Sequence, residues 1–468
     1  MITEVDAHAA VEAKDRRYDG RFFIGVTSTG VYCRCVCPAR TPKPANRRFF
    51  PSAAAAEAAG FRPCLLCRPE RAPGFAPIDQ ADRLAGDALK RIEAGALEED
   101  GLAALAAQLG VTDRHLRRVV LKAFGASPIA LAQTHRLLTA KRLLHETRLT
   151  MAQIAFASGF QSVRRFNATF QQRYRLAPSA LRRAAGQAHG ELSLQLAARG
   201  KFHPQPLLES LQGRSVDGLE TLDANIYRRT LQIGAHAGVI SVAPNEDGVR
   251  LEISESLFPA LRRIVADVRS AYDLNADLDA IDAHLNQIAP LRAARALRLH
   301  GELDPFETAI RTVLGQQVTR AAACTLCARL VKALGAPIET GIANLSRLFP
   351  TPAAIAAAPI DQLAGLGLPR RRAATLQALA QAVADGRCVL QRGATAAGRA
   401  GLAAIPGIGP WTINYVALRG LGDPDSFPAG DAVLDKIAAG LDLETARPWR
   451  SYAAIRLWAI DAAKGATP

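Results

Sequence analysis

Apolar residues recur along this chain at two different periods, and each change of period marks a change of structure. Between residues 100 and 180 the period is helical. Leu102, Leu105, Ala106 and Leu109 share one face, Gly110-Val111 supplies a turn, and Thr112 stands as N-cap before Leu116, Val119, Val120 and Phe124. The same grammar returns 49 residues later as Ile154-Ala155, Gly159-Phe160, then Phe166 and Phe170. This is an internal repeat of a helix-turn-helix, for which an all-α packing domain is the plainer alternative. Around Leu192, Leu194 and Leu196, and again at Val249, Leu251 and Ile253, apolar and polar residues alternate, as in strands with one covered face. Helices follow from Leu257, and Ala- and Leu-rich helical patterns dominate from about Leu291 onward.

Breaker-rich stretches separate these regions. Residues 71–77 (Arg-Ala-Pro-Gly-Phe-Ala-Pro) and 186–190 (Gly-Gln-Ala-His-Gly) read as connectors. At 468 residues the chain is too long for one core. No apolar run approaches the roughly 18 residues of a membrane span, and the first residues do not form a signal peptide, so a cytoplasmic protein away from membranes is expected. The net charge of +15 is unevenly spread: residues 1–190 carry 29 Lys/Arg against 16 Asp/Glu. Attraction to a polyanion therefore belongs to the front half, and nucleic acid is the expected polyanion.

Five of the eight cysteines fall between positions 33 and 67. Cys33-x3-Cys37 and Cys64-x2-Cys67 form two chelating loops 26 residues apart, a spacing that suits one tetrahedral zinc with four thiolates. On spacing alone this is a structural zinc knot, and the surplus Cys35 competes as a ligand. Cys324-x2-Cys327 lies inside a helical pattern, Ala321 to Leu334, and reads as core.

Near the end, Ile405-Pro406-Gly407-Ile408-Gly409-Pro410-Trp411 joins two helical patterns, the second closed by Gly420, and Asp431 follows after a Gly/Asp/Pro loop. Read as a helix-hairpin-helix, Gly407 and Gly409 let a phosphate approach the backbone, where the N–H groups opening the second helix meet it. A Pro-Gly turn between core helices, with Asp431 as a helix cap, is the bland alternative.

These motifs carry a resemblance. Pro305-Phe306-Glu307 through Val313-Leu314-Gly315-Gln316-Gln317-Val318 come first, then Leu366-Gly367-Leu368 with Arg370-Arg371-Arg372-Ala373. The hairpin, Asp431 and Pro448-Trp449-Arg450-Ser451-Tyr452 leading to Trp458 complete the set. Over residues 192–468 the order resembles helix-hairpin-helix DNA glycosylases, above all the 3-methyladenine DNA glycosylase II type. The resemblance implies a catalytic Asp431, a base pocket lined by Trp411, Tyr415 and Trp458, and DNA contacts from Gly407, Gly409, Gln316 and Gln317. Trp411 stands where bifunctional relatives have a Schiff-base lysine, which implies hydrolysis without strand cleavage. Two positions depart from the pattern: Ala432 replaces a pocket tyrosine and Gln317 a leucine wedge.

The front half carries its own resemblance. Thr29-Gly30-Val31-Tyr32-Cys33-Arg34, Cys37-Pro38-Ala39-Arg40, Gly60-Phe61-Arg62-Pro63-Cys64 and Cys67-Arg68-Pro69 resemble the N-terminal zinc domain of the Ada family. There a zinc-bound thiolate accepts methyl from a DNA phosphotriester; by position this is Cys33, with Cys37, Cys64 and Cys67 completing the metal site. Arg40 and Arg62 are then placed to meet the phosphate. A non-cysteine residue is usual where Cys35 stands. The doubled motif, ending Tyr174-Arg175-Leu176-Ala177-Pro178, resembles AraC-type regulators. Its outward Arg114, Arg117, Arg118, Arg164 and Arg165 suit base edges and phosphates in a major groove. The Pro-Cys-His-Arg motif of an alkyltransferase has no counterpart, so O6-methylguanine repair is not expected.

The expected fold class is multidomain, mainly α with α+β parts. Residues 1–76 form a small four-cysteine zinc domain and 78–184 an all-α double helix-turn-helix domain. Residues 192–290 form a β-rich subdomain and 291–468 the helix-hairpin-helix glycosylase domain. Alkylation repair coupled to transcription regulation is the expected function, with one zinc ion and no cofactor for the glycosylase. Double-stranded DNA and RNA polymerase are the expected partners of a nucleoid-associated monomer. A damage-responsive regulator with an inactive glycosylase-like scaffold is the alternative.

Overall fold

The computed structural model describes residues 2–74, 83–99, 101–184, 192–294 and 297–465. Residues 75–77 of the first connector and all of the second, 186–190, lie outside the described residues. The chain forms two compact units. One is Met1–Phe202 with Asn245–Ala266 and Leu274–Ala276; the other is His203–Pro244 with Asp267–Asp273 and Asp277–Pro468. The alternating stretch expected to be β-rich is therefore shared between them.

The first unit opens with a four-stranded sheet in the order β3-β1-β2-β4, built from β1 (Phe23–Val26), β2 (Val31–Cys33), β3 (Arg47–Phe50) and β4 (Arg62–Pro63). β1 is antiparallel to β2 and β3, but β2 and β4 run parallel with Tyr32 opposite Pro63. That one parallel step brings the next residues, Cys33 and Cys64, together, and the Cys64 N–H donates to the Tyr32 carbonyl at 3.0 Å. Helix α1 (Ala53–Ala58), capped by Ser52, supplies small side chains that let it sit close to its neighbours.

The repeat is as expected. Helix α2 (Gly101–Gln108) and α3 (Asp113–Phe124) make the first motif, and α5 (Met151–Ala157) and α6 (Val163–Tyr174) the second, joined by the 19-residue α4 (Pro128–Glu146). Thr112 accepts the His115 N–H and Ser162 the Arg165 N–H, so both recognition helices start on an oxygen cap. Phe160, Phe166, Phe170 and Tyr174 pack ring against ring at 4.6–5.6 Å between successive centroids.

A polar seam binds the cysteine module to this domain. Glu57, 3% exposed, accepts from Tyr32 at 3.1 Å and from Thr134 of α4 at 2.8 Å, with Arg173 of α6 3.5 Å away. Lys141 of α4 meets Glu70 at 2.6 Å and donates to the Cys64 carbonyl at 3.2 Å; both charged side chains are 1% exposed. Strand β5 (Ser193–Ala197) of the same unit is antiparallel to a partner strand, Gly248–Ile253, with Leu194 facing Leu251 and Leu196 facing Val249.

In the second unit β6 (Glu220–Asp223), β7 (Ile226–Ile233) and β8 (His236–Asn245) form an antiparallel meander. Its helical core places α7 (Pro305–Leu314) against α8 (Arg320–Leu334) and α9 (Arg370–Ala384). Ala309, Ile310, Val313 and Leu314 meet Leu330, Val331, Leu376 and Leu379, all buried. The same cluster takes in Ile405, Ile408, Val416 and Leu421, so the hairpin rests on the core.

Candidate active site and metal centre

The hairpin runs from Thr395–Ala403 into α10 (Pro410–Val416). Gly407 has φ +88°, and a Cβ there would lie 2.2 Å from Thr375 Oγ1, so glycine is demanded by the protein's own packing. Gly409, the residue before α10, differs: nothing lies within 4 Å of an added Cβ. The space beside it is open to a ligand. Gln316 Nε2 donates to Thr412 Oγ1 at 3.1 Å and reaches Gly407 O at 3.4 Å, so this expected DNA contact braces the hairpin. Gln317 is exposed with φ +55°, beside Val318, which is 37% exposed.

The expected Gly420 cap is corrected by the structure. Helix α10 continues into a π-helical turn, Ala417–Leu421, and closes at Gly422 with φ +69°. Gly420 lies inside that turn, where a Cβ would come 3.1 Å from Thr308.

Asp431 is the N-cap of α11 (Ala432–Ile437), so the helix-cap reading and the catalytic reading describe one residue. Its Oδ1 accepts the Val433 and Leu434 N–H groups, each at 3.1 Å. Two indoles complete the set: Trp458 Nε1, from α12 (Arg450–Gly465), donates to Oδ1 at 3.1 Å, and Trp411 Nε1 to Oδ2 at 3.2 Å. Four donors fix the direction of the carboxylate. Oδ1 carries three of them and Oδ2 one, which leaves Oδ2 the freer oxygen. Trp411 and Tyr415 stack at 5.1 Å with planes 21° apart, and Trp458 stands edge-on to Tyr415 at 6.1 Å. The structure thus brings the four sequence-named residues together on one cavity of about 460 Å³.

Sequence reasoning missed the charged side of this cavity. Arg214, Glu302, Arg311 and Arg419 line it as well. Arg214 pairs with Glu302 at 3.1 Å, and Arg311 with Glu220 and Glu307 at 2.8 and 2.6 Å. Burial pushes the Glu302 carboxyl up, but Arg214 and Arg311 outweigh it and hold the group at about 2. Cys324 and Cys327, both expected in the core, also line the cavity, Cys324 half-buried and Cys327 buried.

In the first unit the sulfurs of Cys33, Cys37, Cys64 and Cys67 all lie within 4.8 Å of one another. Zinc–sulfur bonds of ~2.3 Å set tetrahedron edges of about 3.8 Å, so the donor set fits a Zn²⁺ ion. Cys35 is not among them: its thiol faces the Asp15 carbonyl at 3.4 Å, and burial pushes it up to about 12. The four ligands are not equivalent. Cys67 accepts the Arg34 N–H at 3.4 Å, whereas Cys33, Cys37 and Cys64 line a recess of about 180 Å³. The exposed Arg40 lines this recess; Arg62, on β4, does not. Lys14 and Arg34, which sequence reasoning passed over, also line it, Arg34 being paired with Asp19.

Arg114, Arg117 and Arg118 on α3 and Arg164 and Arg165 on α6 are all exposed. Arg117 leans on Asp113 at 2.6 Å and Arg118 on His115 at 3.1 Å, surface contacts that a phosphate can replace at little cost.

Four family descriptions match the chain. They are the metal binding domain of Ada over residues 6–70, a helix-turn-helix domain over 105–184, the AlkA N-terminal domain over 193–304, and the HhH-GPD superfamily of base excision DNA repair proteins over 310–459. Fold and site together define a base-excision DNA glycosylase carried on one chain with an Ada-type zinc-binding module and a helix-turn-helix domain. The chain is 39% identical to a probable bifunctional transcriptional activator/DNA repair enzyme AlkA of Mycobacterium tuberculosis, over 96% of its own length and 95% of the relative's. It belongs to that family, which joins DNA repair to transcription activation. It is also 32% identical to DNA-3-methyladenine glycosylase 2 of Escherichia coli, over 54% of this chain and 92% of that one. Over 39% of the chain it is 29% identical to the bifunctional transcriptional activator/DNA repair enzyme AdaA of Bacillus subtilis, 83% of which is covered.

Proposed function

We propose that this chain hydrolyses the N-glycosidic bond of alkylated purines of the 3-methyladenine type in double-stranded DNA, with Asp431 as its catalytic carboxylate. The observation that carries the reading is the pair of indole N–H groups aimed at Asp431 from two walls of one cavity. A base swung out of the duplex stacks on the Trp411–Tyr415 pair and against Trp458. As the C1′–N bond breaks, positive charge grows on the sugar, and the freer Asp431 Oδ2 stabilises it while water takes the base's place. Because residue 411 is tryptophan, the cavity has no lysine there to form a Schiff base, and strand cleavage is not part of the activity. The exposed Gln317, next in sequence to the cavity-lining Val318, fills the gap left in the duplex, and the open backbone at Gly409 grips a phosphate.

In the front half Cys33 is the methyl acceptor. Its sulfur attacks the methyl carbon of a phosphotriester; the S–C bond forms, the methyl C–O bond breaks, and the phosphate departs as a diester anion. One Zn²⁺ held by Cys33, Cys37, Cys64 and Cys67 would keep the sulfurs deprotonated. Arg40 faces the incoming phosphate and Arg62 lies further along the backbone. Loss of thiolate charge on methylation favours DNA, and Arg114, Arg117, Arg118, Arg164 and Arg165 then hold promoter DNA for RNA polymerase. In this reading residues 1–76, 78–184, 192–290 and 291–468 are the working domains of a monomer on the cytoplasmic nucleoid, and the glycosylase needs no cofactor.

Two measurements test this. Incubation with methylated duplex is expected to release free base and leave the strand uncut until alkali is added; a strand cut without alkali refutes simple hydrolysis. After exposure to methyl-phosphotriester DNA, mass spectrometry is expected to find one methyl on the Cys33 peptide, and an unmodified peptide makes the site purely structural.

A further inference from the structure

Of the three half-buried arginines that line the Asp431 cavity, two are ion-paired and one is not. Arg214 and Arg311 are matched by Glu302, Glu220 and Glu307. Arg419 has no carboxylate oxygen within 4 Å among the described residues. Its Nη1 donates to the His300 carbonyl at 2.6 Å, a neutral partner, and its Nε is buried without a hydrogen-bond acceptor.

Its placement is not incidental. Arg419 lies in the π-helical turn Ala417–Leu421, the irregularity that follows the helix bearing Trp411 and Tyr415. Such turns re-aim side chains and recur at functional sites. The backbone is clamped there: a Cβ on Gly301 would lie 1.8 Å from the Arg419 carbonyl oxygen, so only glycine admits this approach. The guanidinium carbon stands 5.8 Å from the Trp458 ring centroid, and the side chain lines the same cavity as Asp431.

We infer that Arg419 is a specificity-determining residue that tilts the cavity away from cationic bases and toward neutral ones; the inference rests on the cavity being the base-receiving site proposed above. Three aromatic faces alone would favour a cationic alkylated purine. Arg419 opposes this in two ways. It already occupies the cation–π attraction of Trp458, and its charge, which Glu302 offsets only from a distance and no carboxylate touches, repels a second cation seated in the cavity. At the screening of a partly buried site such repulsion amounts to on the order of tenfold or more in an equilibrium. A neutral base meets neither penalty. Asp431 acts on both classes at the sugar, where the charge that it stabilises develops. Arg419 thus widens the substrate range to neutral damaged purines at some expense in the rate for charged ones.

The test is the ratio of single-turnover release rates for 7-methylguanine, a cation, and hypoxanthine, a neutral purine of similar outline, from otherwise identical duplexes. The full-length chain is compared with Arg419→Met, Arg419→Gln and Arg419→Lys. The ratio is expected to rise at least fivefold in both uncharged variants and to stay within twofold of wild type in Arg419→Lys. Being a ratio within one protein, it cancels any loss of folded enzyme. An unchanged or lowered ratio in the two uncharged variants overturns the inference, even if absolute rates fall. A wild-type chain that releases neither base would instead remove the base-pocket reading, and this inference with it.

Discussion

Trp458 Nε1 and Asp431 Oδ1 meet at 3.1 Å, although 27 residues separate them in sequence. The contact joins the last helix of the chain to the cap of α11, and with Trp411 it makes the aromatic walls the agents that orient the carboxylate. Trp458→Phe keeps the apolar wall and removes the donor. Release of 3-methyladenine is expected to slow by about 10- to 100-fold, in the range for a lost charge-stabilising hydrogen bond. Single-turnover kinetics on methylated duplex check this. A rate equal to wild type would mean that the backbone N–H groups alone set the direction of Asp431.

The two hairpin glycines are expected to fail differently. Gly407→Ala puts a methyl group against Thr375 at positive φ and should destabilise the fold by about 1–3 kcal/mol. Gly409→Ala meets nothing within 4 Å, so thermal stability should hold while affinity for duplex DNA falls several-fold. Melting curves read beside DNA-binding isotherms separate the two effects. A Gly409→Ala protein that binds DNA as wild type does would deny the hairpin its phosphate.

At the metal centre, Cys35 lies outside the set of four sulfurs, so Cys35→Ser should keep one zinc per chain and full methyl uptake. Cys64→Ser removes a ligand and should lose zinc, with unfolding of the first ~70 residues, since small metal-held modules fold with their metal. Metal analysis and peptide mass spectrometry decide. Loss of zinc from Cys35→Ser would make that thiol a ligand after all.

The Lys141–Glu70 pair, each side chain 1% exposed, links the cysteine module to α4. Lys141→Met leaves the buried Glu70 carboxylate to Arg68, 3.0 Å away, with its second oxygen unsatisfied, and should cost about 1–3 kcal/mol, whereas Lys141→Met with Glu70→Met should recover most of it. Denaturant melts of the single and double variants check the difference. Equal losses in both would show that the pair's charge is not what the seam depends on.

Much of this architecture was legible in the sequence because local rules and the fold agree. Thr112, the helical faces and the alternation at Leu192–Leu196 are short-range signals, and the structure keeps them. The gathering of Trp411, Tyr415, Asp431 and Trp458 is long-range; only the order of motifs conveyed it. Gly420 misled because a Leu-Arg-Gly ending looks like a cap, yet the close approach of Thr308 needed that glycine and moved the helix end to Gly422. Cys35 and Cys33 differ by two positions, and spacing could not choose between them. Their sheet did, since the parallel pairing of β2 with β4 aligns Cys33 with Cys64. The charges around Arg214 and Arg419 gave no periodic signal, because buried ion pairs are made between elements distant in sequence.

The account depends most on Asp431 as the group that carries catalysis. Asp431→Asn preserves the helix cap and the Trp458 contact at Oδ1 while removing the negative charge and the oxygen that accepts from Trp411. The direct measurement is the single-turnover release of free 3-methyladenine by the two full-length proteins at saturating enzyme. A loss of at least ~100-fold in Asp431→Asn, with unchanged thermal stability and DNA affinity, is predicted. Equal release by both proteins would contradict it.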